Sequence, residues 1–170
     1  MLAITGGEDF SDEACFGAAT DPDGAFAVIA GYRQGTVGGV AQDTDGVLGI
    51  FTIEETRGVT TGLTLTSLEA KAASTTENDH FRTATIYNPA QGTTRIFVSG
   101  FIGANPMGGT DTRRMLVGCF EDTGAVCADF GTNGFVEITT ARDAVGLAVD
   151  STGRVIVAGT VTRQVPVVTP

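Results

Sequence analysis

The chain has 170 residues, 42% of them hydrophobic, with 24 glycines and 5 prolines, and 20 acidic against 10 basic residues give a formal net charge of −10. That length suits one domain with a real core. A surface this acidic repels phosphate backbones and lacks the basic cluster that would hold an anionic membrane, so neither nucleic-acid binding nor membrane insertion is expected. No apolar run reaches the length of a membrane span. The opening MLAITGGEDF has neither the basic stretch nor the long apolar run of a signal peptide.

Taken in chain order, Met1 to Thr5 reads as a lone strand. Cys15 to Gly31, CFGAATDPDGAFAVIAG, reads as a hairpin turned at Asp21-Pro22-Asp23-Gly24. An aspartate opens such a turn because its carboxylate accepts a backbone N–H two residues on; glycine closes it because positive φ costs it nothing. Gly38 to Phe51 reads as a second hairpin, with an acidic turn at Asp43-Thr44-Asp45-Gly46. Leu68 to Ala73 has helix formers but is too short to hold a helix unaided, and it runs into a polar loop, Glu69 to His80, in which His80 is expected to be solvated.

Thr83 to Gly100, TATIYNPAQGTTRIFVSG, is a hairpin of the first kind, with Asn88-Pro89 and Gly92 in the turn. Gly103 to Arg114 is a loop whose Arg113-Arg114 can pair with surface acids. Met115 to Phe130 matches the second hairpin, turned at Glu121-Asp122-Thr123-Gly124, and Phe130 to Ile138 opens another strand. Ala144 to Gly159, AVGLAVDSTGRVIVAG, repeats the first hairpin, and Val165 to Val168 offers one more strand.

These segments form a repeat. Gly17 matches Gly146, Ala19 matches Ala148, Asp21 matches Asp150 and Gly24 matches Gly153; after one extra residue, Ala30-Gly31 matches Ala158-Gly159, with Ser99-Gly100 between them. The closing glycines suggest close backbone approach at strand ends. Met1 to Thr5, MLAIT, matches Phe135 to Thr139, FVEIT. The unit has about four strands over roughly 60 residues, the length of a propeller blade with long loops. Strands Ala27 to Ala30 and Val155 to Ala158 are expected to be inner and well buried.

The Asp-x-x-Gly turn, the β run ending Ala-Gly and the segment FGTNGF (Phe130 to Phe135) resemble the delta-60 repeat family, best over Phe130 to Gly159, more briefly over Ala14 to Gly31 and loosely over Phe81 to Gly100. Phe51 to Thr66 departs from the pattern, lacking a clean Phe-Gly-x-x-Gly. The resemblance implies a β-propeller-like repeat of large secreted or surface bacterial proteins, and it carries no catalytic residues.

The expected fold is therefore all-β: a β-propeller-like repeat of four-stranded antiparallel units, about two and a half to three of them, in a single repeat domain over 1–170 with units near 10–66, 67–140 and 141–170 plus 1–5. The chemistry is sparse. Asp21, Asp23, Asp43, Asp45 and Asp150 are read as turn formers, since none sits in a full calcium loop; if a cation binds, calcium at Asp43 and Asp45 is the first choice, because no proline restricts that turn. Otherwise no cofactor is expected. Cys119 and Cys127 flank the turn at 121–124, where a hairpin either closes a disulfide or packs two small apolar residues. A Cys–His nucleophile would need one of Cys15, Cys119 and Cys127 beside His80, which no spacing requires. Glu54 and Glu55 are adjacent on a strand and point to opposite faces, so they cannot flank one bond.

The expected function is non-catalytic: a structural or adhesion-type module of an extracellular or cell-surface assembly, self-associating through strand edges. Its partners would be further copies or neighbouring repeats of a larger protein. The alternative is a multi-chain carbohydrate-binding propeller, although exposed aromatic faces for a glycan are scarce, with no Trp and only Tyr32 and Tyr87. The ten phenylalanines are expected to fill the layers between sheets.

Overall fold

The computed structural model describes residues 13–37, 40–56, 58–71, 73, 77–90, 92–103 and 112–161; the side chains of 35–37, 40–43 and 70 are outside that description. The strands expected over Met1 to Thr5 and Val165 to Val168 fall outside the described residues. The fold is all-β, with three antiparallel sheets of four, four and two strands. The first holds β1 (Glu13–Thr20), β2 (Phe26–Val37), β3 (Val40–Thr56) and β4 (Val59–Ala70). The second holds β5 (Asp79–Tyr87), β6 (Arg95–Ile102), β7 (Arg114–Glu121) and β8 (Phe135–Ile138), and the third β9 (Asp143–Val149) and β10 (Val155–Thr160). Within each sheet every strand pairs with its neighbours in sequence, so the topology is a repeated meander.

The first hairpins turn where the sequence places them. The Asp21 carbonyl accepts the Gly24 N–H at 2.9 Å, and the Asp150 carbonyl accepts that of Gly153 at 3.0 Å. Both glycines have positive φ, 75° and 84°. The second unit also turns at Glu121–Gly124, where the Gly124 N–H reaches the Glu121 carbonyl at 2.9 Å. The turn expected at Asp43–Gly46 is not there. β2 runs past Gly31 to Val37, and its partner must be as long, so β3 passes straight through these residues, with Asp45 opposite Arg33 and Gly46 opposite Tyr32. The chain reverses between Val37 and Val40 instead. The loop expected from Glu69 likewise starts later, because β4 continues to Ala70 alongside β3.

The closing glycines mark an irregularity that recurs in all three sheets. Register slips by one residue between Cys15 and Gly17, between Phe81 and Thr83, and between Ala158 and Gly159. The extra residues are Phe16, Arg82 and Val145. Opposite each bulge a β-carbon on the glycine would lie 2.0 Å from the Ala14 carbonyl oxygen (Gly31), 1.8 Å from that of His80 (Gly100) and 2.0 Å from that of Asp143 (Gly159). Backbone fills that space in each unit, so only glycine fits.

The sheets stack face to face. Val28, Ala30, Leu48 and Ile50 of the first sheet share one buried cluster with Phe81, Ile96, Val98, Leu116 and Phe120 of the second. On the opposite face of the second sheet, Phe97 and Cys119 pack with Leu147, Val149 and Val155 of the third, and Met115 packs with Ala144 and Val157. Phe51, Phe81, Phe97, Phe101 and Phe120 are buried as the composition suggests, whereas Phe16 is about half exposed. Burial follows expectation in β2, where Val28 and Ala30 are fully buried, but not in β10, where Ile156 is 57% exposed. β10 belongs to a two-stranded sheet covered on one face, so alternate side chains stay outside. Cys119 and Cys127 form a disulfide with Cα atoms 5.4 Å apart, in the ordinary range for such a bridge.

Candidate functional site: an aromatic and arginine ladder across three sheets

A bulge re-aims the side chain of its extra residue, and here it brings residues of successive units together. Phe16 on β1 lies under the Arg82 guanidinium of β5, 5.3 Å from the ring centroid. The same guanidinium lies 5.3 Å from the Phe101 ring, and Arg113 lies 5.4 Å from that ring. Asp143, at the start of β9, holds both cations: its Oδ2 is 3.1 Å from Arg82 Nε and 3.8 Å from an Arg113 Nη. The first is an ion pair without aligned hydrogen-bond geometry. One guanidinium therefore touches all three sheets.

The ladder continues through stacked rings. The His80 ring lies 3.9 Å from Tyr32, nearly parallel at 11°, and 4.5 Å from Phe101, while Phe16 stacks on Tyr32 at 5.8 Å. His80 Nε2 and the Thr44 hydroxyl share a hydrogen bond of 2.7 Å. His80 is thus a strand residue wedged between sheets, not a solvated loop residue. β5 begins at Asp79, and the apolar faces of Tyr32 and Phe101 shelter the imidazole. Beside it the Asn78 side-chain carbonyl accepts the Thr44 N–H at 2.9 Å, which also fastens β3 to the second sheet.

At the opposite ends of these strands the repeated turns meet. Asn88 Nδ2 donates to Asp23 Oδ2 at 2.8 Å, joining the first and second turns. The Tyr87 ring packs on Gly153 of the third, where a β-carbon would sit 3.2 Å from Cε1. Asp150 Oδ1 accepts the Thr152 hydroxyl at 2.7 Å and N–H at 2.9 Å and the Arg154 N–H at 3.0 Å, and Arg154 Nε donates to its Oδ2 at 2.6 Å. These bonds, the Thr152 hydroxyl first, pull the Asp150 carboxyl down to about 2. Its role is to hold the turn.

The remaining candidate residues lie elsewhere in the sheets. Asp43 and Asp45 stand in β3 and not in a turn, and the Asp43 side chain is outside the description. Among the described residues, no group of three His, Cys, Asp or Glu side chains is placed to hold a metal ion. Cys15 is a free thiol that burial, and then Glu13, push above its usual value, which weakens it as a nucleophile. Glu54 and Glu55 are separated by a register slip against β4, and Glu54 accepts the Thr64 hydroxyl. Arg114 lies between Glu77 at 2.7 Å and Glu137 at 2.8 Å, the surface pairing foreseen for it. Tyr32 gives its ring faces to His80 and Phe16, and the Tyr87 ring lies against Gly153.

No protein-family model, curated protein or solved structure matches this chain. The ladder itself was missed by sequence reading. Phe16 and Val145 align with each other, one residue before Gly17 and Gly146, so no misfit in the repeat marks them as bulge positions.

Proposed function

We propose that the chain is a non-catalytic structural or adhesion-type module of an extracellular or cell-surface assembly, built from β-propeller-like units of the delta-60 kind and self-associating through strand edges. The observation that carries this reading is the state of the third sheet. β10 occupies the repeat position of β2 and β6, each of which has a partner on both sides; among the described residues β10 has one on a single side. A strand edge with unpaired backbone groups is a template for another strand. The Cys119–Cys127 disulfide supports an oxidising compartment. The clamp of Phe16, Arg82, Phe101 and Asp143 is a brace between sheets, and supports a load-carrying role over a catalytic one.

The test is mass in solution by light scattering over a concentration series. The expected result is a multiple of the 17.4 kDa chain. Deleting Met1 to Thr5, the segment that matches the last strand of a unit, is expected to lower that mass. A strictly monomeric wild type overturns the reading.

A further inference from the structure

The three sheets are stacked with one polarity. Through the closing glycines, Val28 and Ala30 of β2 correspond to Phe97 and Ser99 of β6 and to Ile156 and Ala158 of β10. Val28 and Ala30 face the second sheet, and Phe97 faces the third. Each unit therefore presents the same face to the unit that follows. The alternate residues, Ala27 and Ile29, correspond to Ile96 and Val98 and to Val155 and Val157. In the second sheet these face back to the first, and in the third they face back to the second.

This rule leaves two faces over. The forward face of the third sheet carries Ile156, 57% exposed, with Ala148 and Ala158, also exposed. Gly146 lies on it too. The matching Gly17 is closed off by the next sheet, since a β-carbon there would lie 2.7 Å from the Thr83 Cα; at Gly146, among the described residues, it would meet nothing nearer than the Ala158 β-carbon at 3.5 Å. The rear face of the first sheet holds a groove of about 380 Å3 lined by Ala18, Ala27, Ile29, Phe51 and Leu63 among others. Leu63 is 53% and Leu65 44% exposed.

We infer that the forward face of the third sheet seats on the rear face of the first sheet of a second copy, head to tail. The two packings inside the chain show what such a face takes: the rear face of the next unit of this repeat. Ile156 of one copy meets Ala27 and Ile29 of the next, as Val28 meets Ile96 and Val98 within the chain, and Gly146 lies against the backbone at Gly17 and Ala18. The contact is heterologous, so it forms a ring if the rotation closes and a filament if it does not. It rests on the self-association proposed above but uses faces where that reading uses edges.

The experiment compares the wild type with Ile156→Glu, Gly146→Arg and Leu63→Lys by light scattering, with thermal melts confirming that each variant folds. Ile156 and Leu63 are more than half exposed and Gly146 has room for a β-carbon among the described residues, so folding should persist. Each variant is expected to weaken association at least tenfold. Mixing Ile156→Glu with Leu63→Lys is expected to restore a two-chain species, because each retains the face the other has lost. A wild type that assembles with all three variants unaffected overturns the face contact and leaves edge pairing standing; loss of association in the variants but not on deletion of Met1 to Thr5 does the reverse. A monomeric wild type, its faces covered by the chain's own terminal segments, overturns both, and variants that lose association without rescue on mixing overturn the head-to-tail geometry.

Discussion

Asp150 shows how one carboxylate can set a turn. It accepts bonds from Thr152 and Arg154, which favour the charged form and hold it at about 2. A depressed folded-state value gives stability that is present above the ordinary aspartate range near 4 and is lost as pH falls through about 2. Asp150→Asn keeps an acceptor in place and removes the charge. The variant is expected to melt below the wild type at pH 7, with the gap narrowing between pH 4 and pH 2. A gap that stays constant across thermal melts at pH 7, 4 and 2 would show that the charge plays no part. Glycine at the bulges acts by another route: at Gly100 the obstacle is the His80 carbonyl, a backbone group that cannot swing aside.

At the scale of the strand, sequence reading succeeded where one turn decides one hairpin and failed where strand length does. Asp21 and Asp150 stand at turns because their local bonds close within a few residues. Asp43 to Gly46 has a similar acidic and glycine pattern, yet β2 and β3 pair straight across it. The Gly38-Gly39 pair between Val37 and Val40 is a two-residue hairpin signal in its own right, which the reading of an acidic turn at 43–46 left unused. His80 was misread for a related reason: its polar neighbours describe the loop before it, while its surroundings come from Tyr32 and Phe101, distant in sequence. The ladder was illegible because a one-residue bulge changes where a side chain points, and alternation assumes no bulge.

The disulfide belongs to this scale too. It fixes the turn after β7, bringing the Cys127 N–H to the Cys119 carbonyl at 3.0 Å, and the loop it closes is short. Replacing both cysteines by alanine is expected to cost about 2–3 kcal/mol by chemical denaturation, near the lower end for such bridges because short loops restrict the unfolded chain least. An unchanged unfolding midpoint would mean that the bridge is dispensable for stability.

For the whole molecule, the decisive contact is the Arg82 clamp, which reaches all three sheets where the other polar contacts named above, such as Thr44–Asn78 and Asn88–Asp23, join only two. Arg82→Met keeps much of the stem's bulk and removes the charge from Phe16, Phe101 and Asp143. It also leaves Asp143, whose side chain is only 12% exposed, with a weaker set of counter-ions. A loss of about 1–3 kcal/mol is expected from the cation–π contacts and the disturbed ion pair together. Denaturant titration checks it, and a variant as stable as the wild type would reduce the clamp to incidental surface contact.

The bulge position holds a phenylalanine in the first unit, an arginine in the second and a valine in the third. Three copies of one hairpin are thus labelled with three different chemistries, and the labels fit only in sequence: Arg82 needs an aromatic ring from the unit before it and a carboxylate from the unit after it. A chain with its units spliced in another order would keep each hairpin's own turn and the glycine opposite its bulge, yet would set that guanidinium against the wrong neighbours. The three hairpins share their turns and closing glycines, but Phe16, Arg82 and Asp143 make them a fixed series, so exchange of the units is a route to misassembly and not to variety.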